Sequence, residues 1–320
     1  MVSNDSSQKN IGYDDEIDLK ELFTVIWAHK KFIILLTACF AFTSVLYSLT
    51  LKNYYKSEAV LSVAGESGMR SSLAGLGSFA TLAGINLPKS SAGDKSVVAL
   101  ETIRTRDFLR HLITIKNILP SIMAADSYDV QSKKIKFNPK IYNITNEKWV
   151  RKPPKNLEPK PSYLEAHKTY LNMISVEQDK ANNLISISVE HLSPIFAKEL
   201  LELIINEVNE IIRSKDLQAS SDAIMFLNNE IPKATLITMK EAINMLVQSQ
   251  LETQMLSKVS KEYVLKLVEP PFIPEEKSKP KRALIGILGA LLGLMISLVW
   301  VLVRHYIFSN EDIQNAHKRD

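Results

Sequence analysis

Cysteine is all but missing from this chain: Cys39 is the only one in 320 residues. No disulfide can therefore form within the polar part of the protein, and its absence fits an oxidising or a reducing compartment equally. The six histidines are scattered, and nothing has the spacing of metal ligands or of a nucleophile and its base. The sequence thus offers no catalytic, metal or cofactor site. An ATP-binding kinase activity is excluded on its own terms, because no G-x-x-x-x-G-K-[ST] occurs and "GESGMRSS" (65–72) is only a loop with two glycines. An excess of one charge is lacking too: 39 Lys+Arg against 35 Asp+Glu leaves +4, which gives no ground for a nucleic-acid partner.

What is present is two long runs without charge. Ala283 to Val303 passes 21 residues with no ionisable side chain, and Phe32 to Leu51 passes 20 between Lys30-Lys31 and Lys52. At about 1.5 Å per residue, 21 helical residues span roughly 31 Å, the thickness of a bilayer's hydrocarbon layer. A buried core helix seldom stays uncharged this long, so both runs read as transmembrane helices. The first starts too late, and lacks the small-x-small site, for a cleaved signal peptide; it reads as an anchor that stays. A third uncharged stretch, Ser71 to Pro88, is rich in Ser and Gly and reads as a packed loop or short helix.

Two spans divide the chain into an N-terminal segment 1–31, span 32–51, a polar domain 52–282, span 283–303 and a short tail 304–320. Both ends then share one side of the membrane. Six Lys/Arg flank the spans on the terminal side and six on the domain side. Long domains cross largely regardless of charge, so the terminal side is assigned to the cytoplasm.

Residues 1–16 read as polar and disordered. "DEIDLKELFTVIWAHKK" reads either as an interfacial helix or as an early start of the first span. Tyr55 to Val63 alternates as a strand. Val97, Leu100, Ile103, Phe108, Leu112 and Ile115 recur at helical spacing up to Pro120. Residues 133–160 hold nine Lys/Arg and, counting Pro161 at the edge, five prolines. Such a run touches an acidic polymer in some proteins and is a solvated loop in more, which is the reading taken. "NMISVEQ" and "NLISISVEH" around "DKAN" predict a hairpin. Ser193 and Pro194 then open a helix with Ala197, Leu200, Leu201, Ile204, Val208, Ile211 and Ile212 on one stripe. A second helical stretch ends near Asn229, before Pro232. Leu236, Met239, Ile243, Val247, Leu251 and Met255 predict another helix with one face to bury. "YVLKLVE" closes the domain as a strand. The fold class is α+β: a membrane-proximal mixed sheet with extended helices, between two transmembrane helices.

Pro271, Pro274 and Pro280-Lys281-Arg282, directly before a glycine-bearing span, resemble the proline-rich signature of the polysaccharide co-polymerases, the Wzz-type chain-length determinants of Gram-negative surface polysaccharides. Lys277 stands where the family's three-residue spacing has proline. "DEIDLKELFTVIWAHKKFI", "ALETIRTRDFLRHLI", "ISISVEHLSPIFAKELLELIINEVN" and the stretch from "QSQLETQ" to "KPKRALI" are similar to family segments, in family order; about 120 to 160 is not covered. Proline fixes φ and lacks an N–H, so this segment is a semi-rigid spacer. In the second span Gly289-x-x-x-Gly293 permits close helix approach.

The resemblance implies a non-enzymatic inner-membrane regulator of O-antigen or related chain length, multi-pass with a periplasmic domain. It implies a homo-oligomeric ring acting on a membrane polysaccharide polymerase, with the growing polysaccharide and the lipid bilayer as further contacts and no cofactor. The alternative is a capsule or exopolysaccharide export component, or the adaptor of a separate cytoplasmic tyrosine kinase. A two-span sensor is disfavoured, because the sixteen residues after Arg304 cannot fold into an output domain.

Overall fold

A computed structural model describes residues 19–64, 92–153, 156–179, 181–233 and 236–316. The readings of 1–16 as disordered and of Ser71 to Pro88 as a packed loop lie outside the described residues. The chain divides into two compact units, Met1–Leu51 with Pro280–Asp320, and Lys52–Lys279.

In the first unit, α1 (Leu19–Ala28) and α2 (Lys30–Thr50) are separate helices, broken at His29. Of the two readings of this stretch, a distinct helix ahead of the apolar one holds. The chain's last helix, α9 (Arg282–Ala316), packs along α2. Two helices here, Lys30–Thr50 and Arg282–His305, are long and apolar enough to cross a membrane.

The second unit is α+β. Strand β1 (Tyr55–Val63) is followed by α3 (Ala92–Ile103), α4 (Arg106–Ile115) and α5 (Leu119–Met123). The helical periodicity of 97–115 belongs to two helices, because the Thr105 hydroxyl accepts from the Phe108 N–H at 3.2 Å and caps a new one. The basic stretch is not an irregular loop. It holds two short antiparallel ladders, β2 (Ala125–Asp129) with β3 (Lys134–Phe137), and β4 (Tyr142–Asn143) with β5 (Lys148–Trp149). Their rings carry the order: Phe137 meets Tyr142 at 5.6 Å and Tyr142 meets Trp149 at 5.0 Å. Helix α6 (Tyr163–Met173) opens on a Ser162/Glu165 capping box.

Strands β6 (Ile174–Gln178) and β7 (Ile185–His191) form the predicted hairpin, its turn held by Asp179 accepting from the Ala181 N–H at 2.8 Å. Ser193 then caps α7 (Pro194–Glu230), which runs 37 residues without a break. The second stretch read before Pro232 is its continuation, since no Gly or Pro interrupts 195–230; the helix gives way only to a 3₁₀ turn, Ile231–Lys233. Helix α8 (Ile237–Val259) and strand β8 (Leu265–Glu269) complete the unit.

The main sheet has the order β6-β7-β1-β8 and is antiparallel throughout. It is not the mixed sheet expected: β6 and β7 form a tight hairpin, and β1 and β8 carry the chain out and back, so neighbours oppose in direction. On β1, Ala59 and Leu61 alternate inward to meet Ile185, Ile187 and Val189 on the inner face of β7. Leu200, Leu201, Ile204 and Val208 of α7 cover them, each at most 1% exposed. Burying a side chain of that size stabilises by about 1.5–3 kcal/mol, so this stripe fixes α7 to the sheet.

Candidate functional site

The proline segment follows β8 and is held by the sheet without joining it as a strand. Pro271 and Pro274 are buried, while Phe272 and Ile273 between them are exposed. A three-residue spacing returns side chains to the same face of an extended chain, so both prolines turn inward together. Lys277, next in that series, is exposed. Backbone polar groups in the segment find partners outside any ladder. The Ser57 hydroxyl donates to the Phe272 carbonyl at 2.7 Å, and Tyr54 bonds the Ser278 and Lys279 backbone at 2.8 and 3.0 Å. Glu190 of β7 clamps the end, accepting from the Ser278 hydroxyl and pairing with Lys279 Nζ at 2.6 Å.

Pro280, Lys281 and Arg282 belong to the other unit. The Lys281 carbonyl accepts from the Ile285 N–H at 3.2 Å, so the basic pair opens α9. Here Gly289, Gly293 and Ser297 form one buried stripe at four-residue spacing. A Cβ on Gly289 would collide with the Ser44 side chain, and one on Gly293 would lie 2.7 Å from Phe40 Cβ and 3.2 Å from Thr37 Cα. The two glycines are what let α9 and α2 approach this closely. Further along, Phe32 stacks on Trp300 at 4.5 Å, and Ile33 and Val301 are buried together with Val25.

Two polar anchors, neither anticipated from the sequence, order the route into the proline segment. Asn209, buried in the α7 stripe, accepts from the Val264 and Leu265 N–H groups, both at 2.9 Å. It donates to the carbonyls of Leu265 at 3.0 Å and Ile205 at 3.1 Å. Its place between Val208 and Ile212, a polar residue in an apolar seam, is the signal that could have revealed it. Lys95 pairs with Asp216 at 2.5 Å, and Tyr263 donates to the same carboxylate at 2.8 Å. Burial opposes the Lys95 charge, but Asp216 and Tyr263 outweigh it and its pKa sits above the ordinary lysine value.

Helix α8 does not bury the face its periodicity implied. Ile243 is buried, but Leu236, Met239, Leu251 and Met255 are between 44% and 65% exposed, and Met225 and Phe226 of α7 are similarly open. Among the described residues this apolar seam is left uncovered.

Among the described residues no three His, Cys, Asp or Glu side chains gather as metal ligands. The most buried histidine, His191, is structural. Its Nδ1 accepts from the Ser193 N–H at 3.0 Å, so Nε2 carries the proton and donates to the Ser121 carbonyl at 3.0 Å. Burial pushes its pKa down to about 4.

The family model described as "Wzz: Chain length determinant protein" matches residues 15–114, and "GNVR: G-rich domain on putative tyrosine kinase" matches 238–306, together just over half of the chain. No curated protein matches it. Among solved structures, a full-length bacterial polysaccharide co-polymerase is similar over 92% of this chain and 99% of its own, at 14% identity and a TM-score of 0.38. A fragment of WzzB, a polysaccharide co-polymerase from Salmonella Typhimurium, is similar over 71% of this chain and 100% of its own, at 15% identity and a TM-score of 0.32. Superpositions this loose transfer no geometry.

Proposed function

Because the chain belongs to the Wzz-type chain length determinant family, we propose that it is a non-enzymatic regulator of surface polysaccharide chain length. It sits in the bacterial inner membrane with α2 and α9 as spans, both termini cytoplasmic and residues 52–282 periplasmic. It acts as an oligomeric co-polymerase on a membrane polymerase, which supplies the chemistry of O-antigen or related polymer growth, and the ring also meets the growing polysaccharide.

The observation that carries this reading is the proline segment clamped by Ser57, Tyr54 and Glu190 directly ahead of an apolar, glycine-striped helix. Clamped and stiffened by proline, this segment gives every copy the same chain course ahead of α9, which suits identical copies standing in register. The open seam of α8 and distal α7 is the surface on which neighbouring copies pack. Deletion is expected to leave polymer made but with a broadened, non-modal length distribution on a gel of the surface polysaccharide. An unchanged modal length in the deletion strain refutes the proposal.

A second reading, an adaptor for a separate cytoplasmic tyrosine kinase in capsule or exopolysaccharide export, is favoured by the match of 238–306 to a domain described as lying on such kinases. Its mark would be loss of surface polymer altogether on deletion.

A further inference from the structure

The basic stretch, which neither family match covers, is tied to the first residues of the second unit, which directly follow the apolar run in the chain. Lys52 directly follows Leu51, the last residue of the apolar run, and it pairs with Asp126 of β2 at 2.7 Å. Tyr55, three residues on, lies against Tyr128 with ring centroids 6.4 Å apart. A strand rises about 3.3 Å per residue, so Val130 at the first hairpin tip is at most about 13 Å along from Asp126.

The charge of this stretch is concentrated and mostly uncompensated. Between Ala125 and Lys152 seven lysines and arginines face three acids, a net +4 equal to that of the whole chain. Asp126 is taken by Lys52 and Asp129 by Lys136 at 3.1 Å. Lys133, Lys134, Lys140, Lys148 and Lys152 make no ion pair among the described residues. Arg151, by contrast, is fixed on Glu165 at 2.7 Å and ties the stretch to α6. Its guanidinium holds the Glu165 carboxyl below the usual range.

Both tips are built alike. Asp129 accepts from the Gln131 N–H and Asn143 from the Thr145 N–H, each at 3.0 Å, so each turn is held by the side chain that opens it. Each then displays one aliphatic residue where a polar one would serve: Val130, 67% exposed, and Ile144, 62% exposed.

We propose that these two hairpins dock on anionic phospholipid headgroups of the bilayer that carries the spans, their lysines on the phosphates and Val130 and Ile144 dipping into the interface. This rests on the reading that α2 crosses that bilayer. An acidic polysaccharide would use the same lysines, but it gains nothing from isolated aliphatic tips. The aromatic rings on which sugars stack, Phe137, Tyr142 and Trp149, are occupied with one another. A basic surface with apolar tips is instead the pattern of interfacial membrane binding, and each lysine near an anionic bilayer contributes about five-fold in partitioning.

The test uses the full chain with Cys39→Ser and single spin-labelled cysteines at Val130, Ile144, and Leu46 of α2. It is reconstituted in nanodiscs of phosphatidylcholine with or without phosphatidylglycerol. Collision with oxygen against a water-soluble nickel chelate reports depth. The proposal expects labels at 130 and 144 to turn from nickel-accessible to oxygen-accessible when phosphatidylglycerol is present. Lys133→Gln with Lys134→Gln, or high salt, should return the 130 label to water, about 25-fold in partitioning for two lysines. Tips that stay aqueous in both lipids while the Leu46 label is in lipid overturn the proposal and spare the spanning reading. A Leu46 label in water overturns both. Insertion indifferent to phosphatidylglycerol and to the lysines, or tips shielded only by an added acidic polysaccharide, also overturns it.

Discussion

Replacing Asn209 with alanine tests whether one side chain holds β8, and with it the start of the proline segment, on the core. Asn209 uses its full hydrogen-bonding capacity, accepting twice and donating twice. Val264 is 2% exposed and Leu265 is fully buried, so water cannot replace the lost acceptor. Two backbone N–H groups are stranded, each costing about 1–3 kcal/mol. We expect about 3–5 kcal/mol of destabilisation, which for a unit of this size lowers the thermal midpoint by roughly 6–20 °C. Hydrogen exchange on the full chain in nanodiscs should show protection lost first in a peptide covering 262–269. Asn209→Asp gives an independent check. Its carboxylate still accepts from both N–H groups but faces the carbonyls of Ile205 and Leu265, so it should be worse than asparagine at neutral pH and recover as it protonates on acidification. Unchanged midpoint and unchanged protection in the alanine variant would refute the reasoning.

Two further outcomes follow from other sites. His191 has its pKa lowered by burial to about 4, against an unfolded value near 6.5, so the unfolded chain binds the extra proton first. Its contribution is whole above pH ~6.5 and is lost as pH falls toward 4, about 3 kcal/mol in all. His191→Gln should flatten that part of a stability profile against pH, and a variant with the same slope would remove histidine as its cause. Gly293→Leu places a side chain where even a Cβ lies 2.7 Å from Phe40, and the opposing Thr37 Cα cannot move aside as a side chain can. We expect about 1–3 kcal/mol against the α2–α9 contact. Weaker disulfide crosslinking between cysteines placed along the two helices would show it, whereas Leu292→Ala on the exposed face should crosslink as before.

The elements most legible in the sequence are those decided by neighbours along the chain. The alternation from Tyr55 to Val63, the Asp179 turn, and the Ser193-Pro194 start of α7 each depend on residues a few positions apart, and each takes the form its pattern predicts. Likewise, the glycine spacing of α9 marks the surface that meets α2. Legibility fails where a distant group decides. Thr105 splits one periodic stretch into two helices through a single cap, while the run that ends near Asn229 reads as a second helix although nothing before it ends the first. The basic stretch looks like solvated loop because its apolar content is low, yet three aromatic rings and the Arg151–Glu165 pair order it. The clamp residues Ser57, Tyr54 and Glu190 carry no local signature, since an exposed-looking serine or glutamate becomes an anchor only once β1 and β7 lie side by side. The α8 stripe is the most instructive case. Periodicity correctly identifies a face with something to bury, but Leu236, Met239, Leu251 and Met255 remain open in the single chain. Amphipathic spacing records that a surface avoids water, and it is silent on whether the same chain or another one covers it.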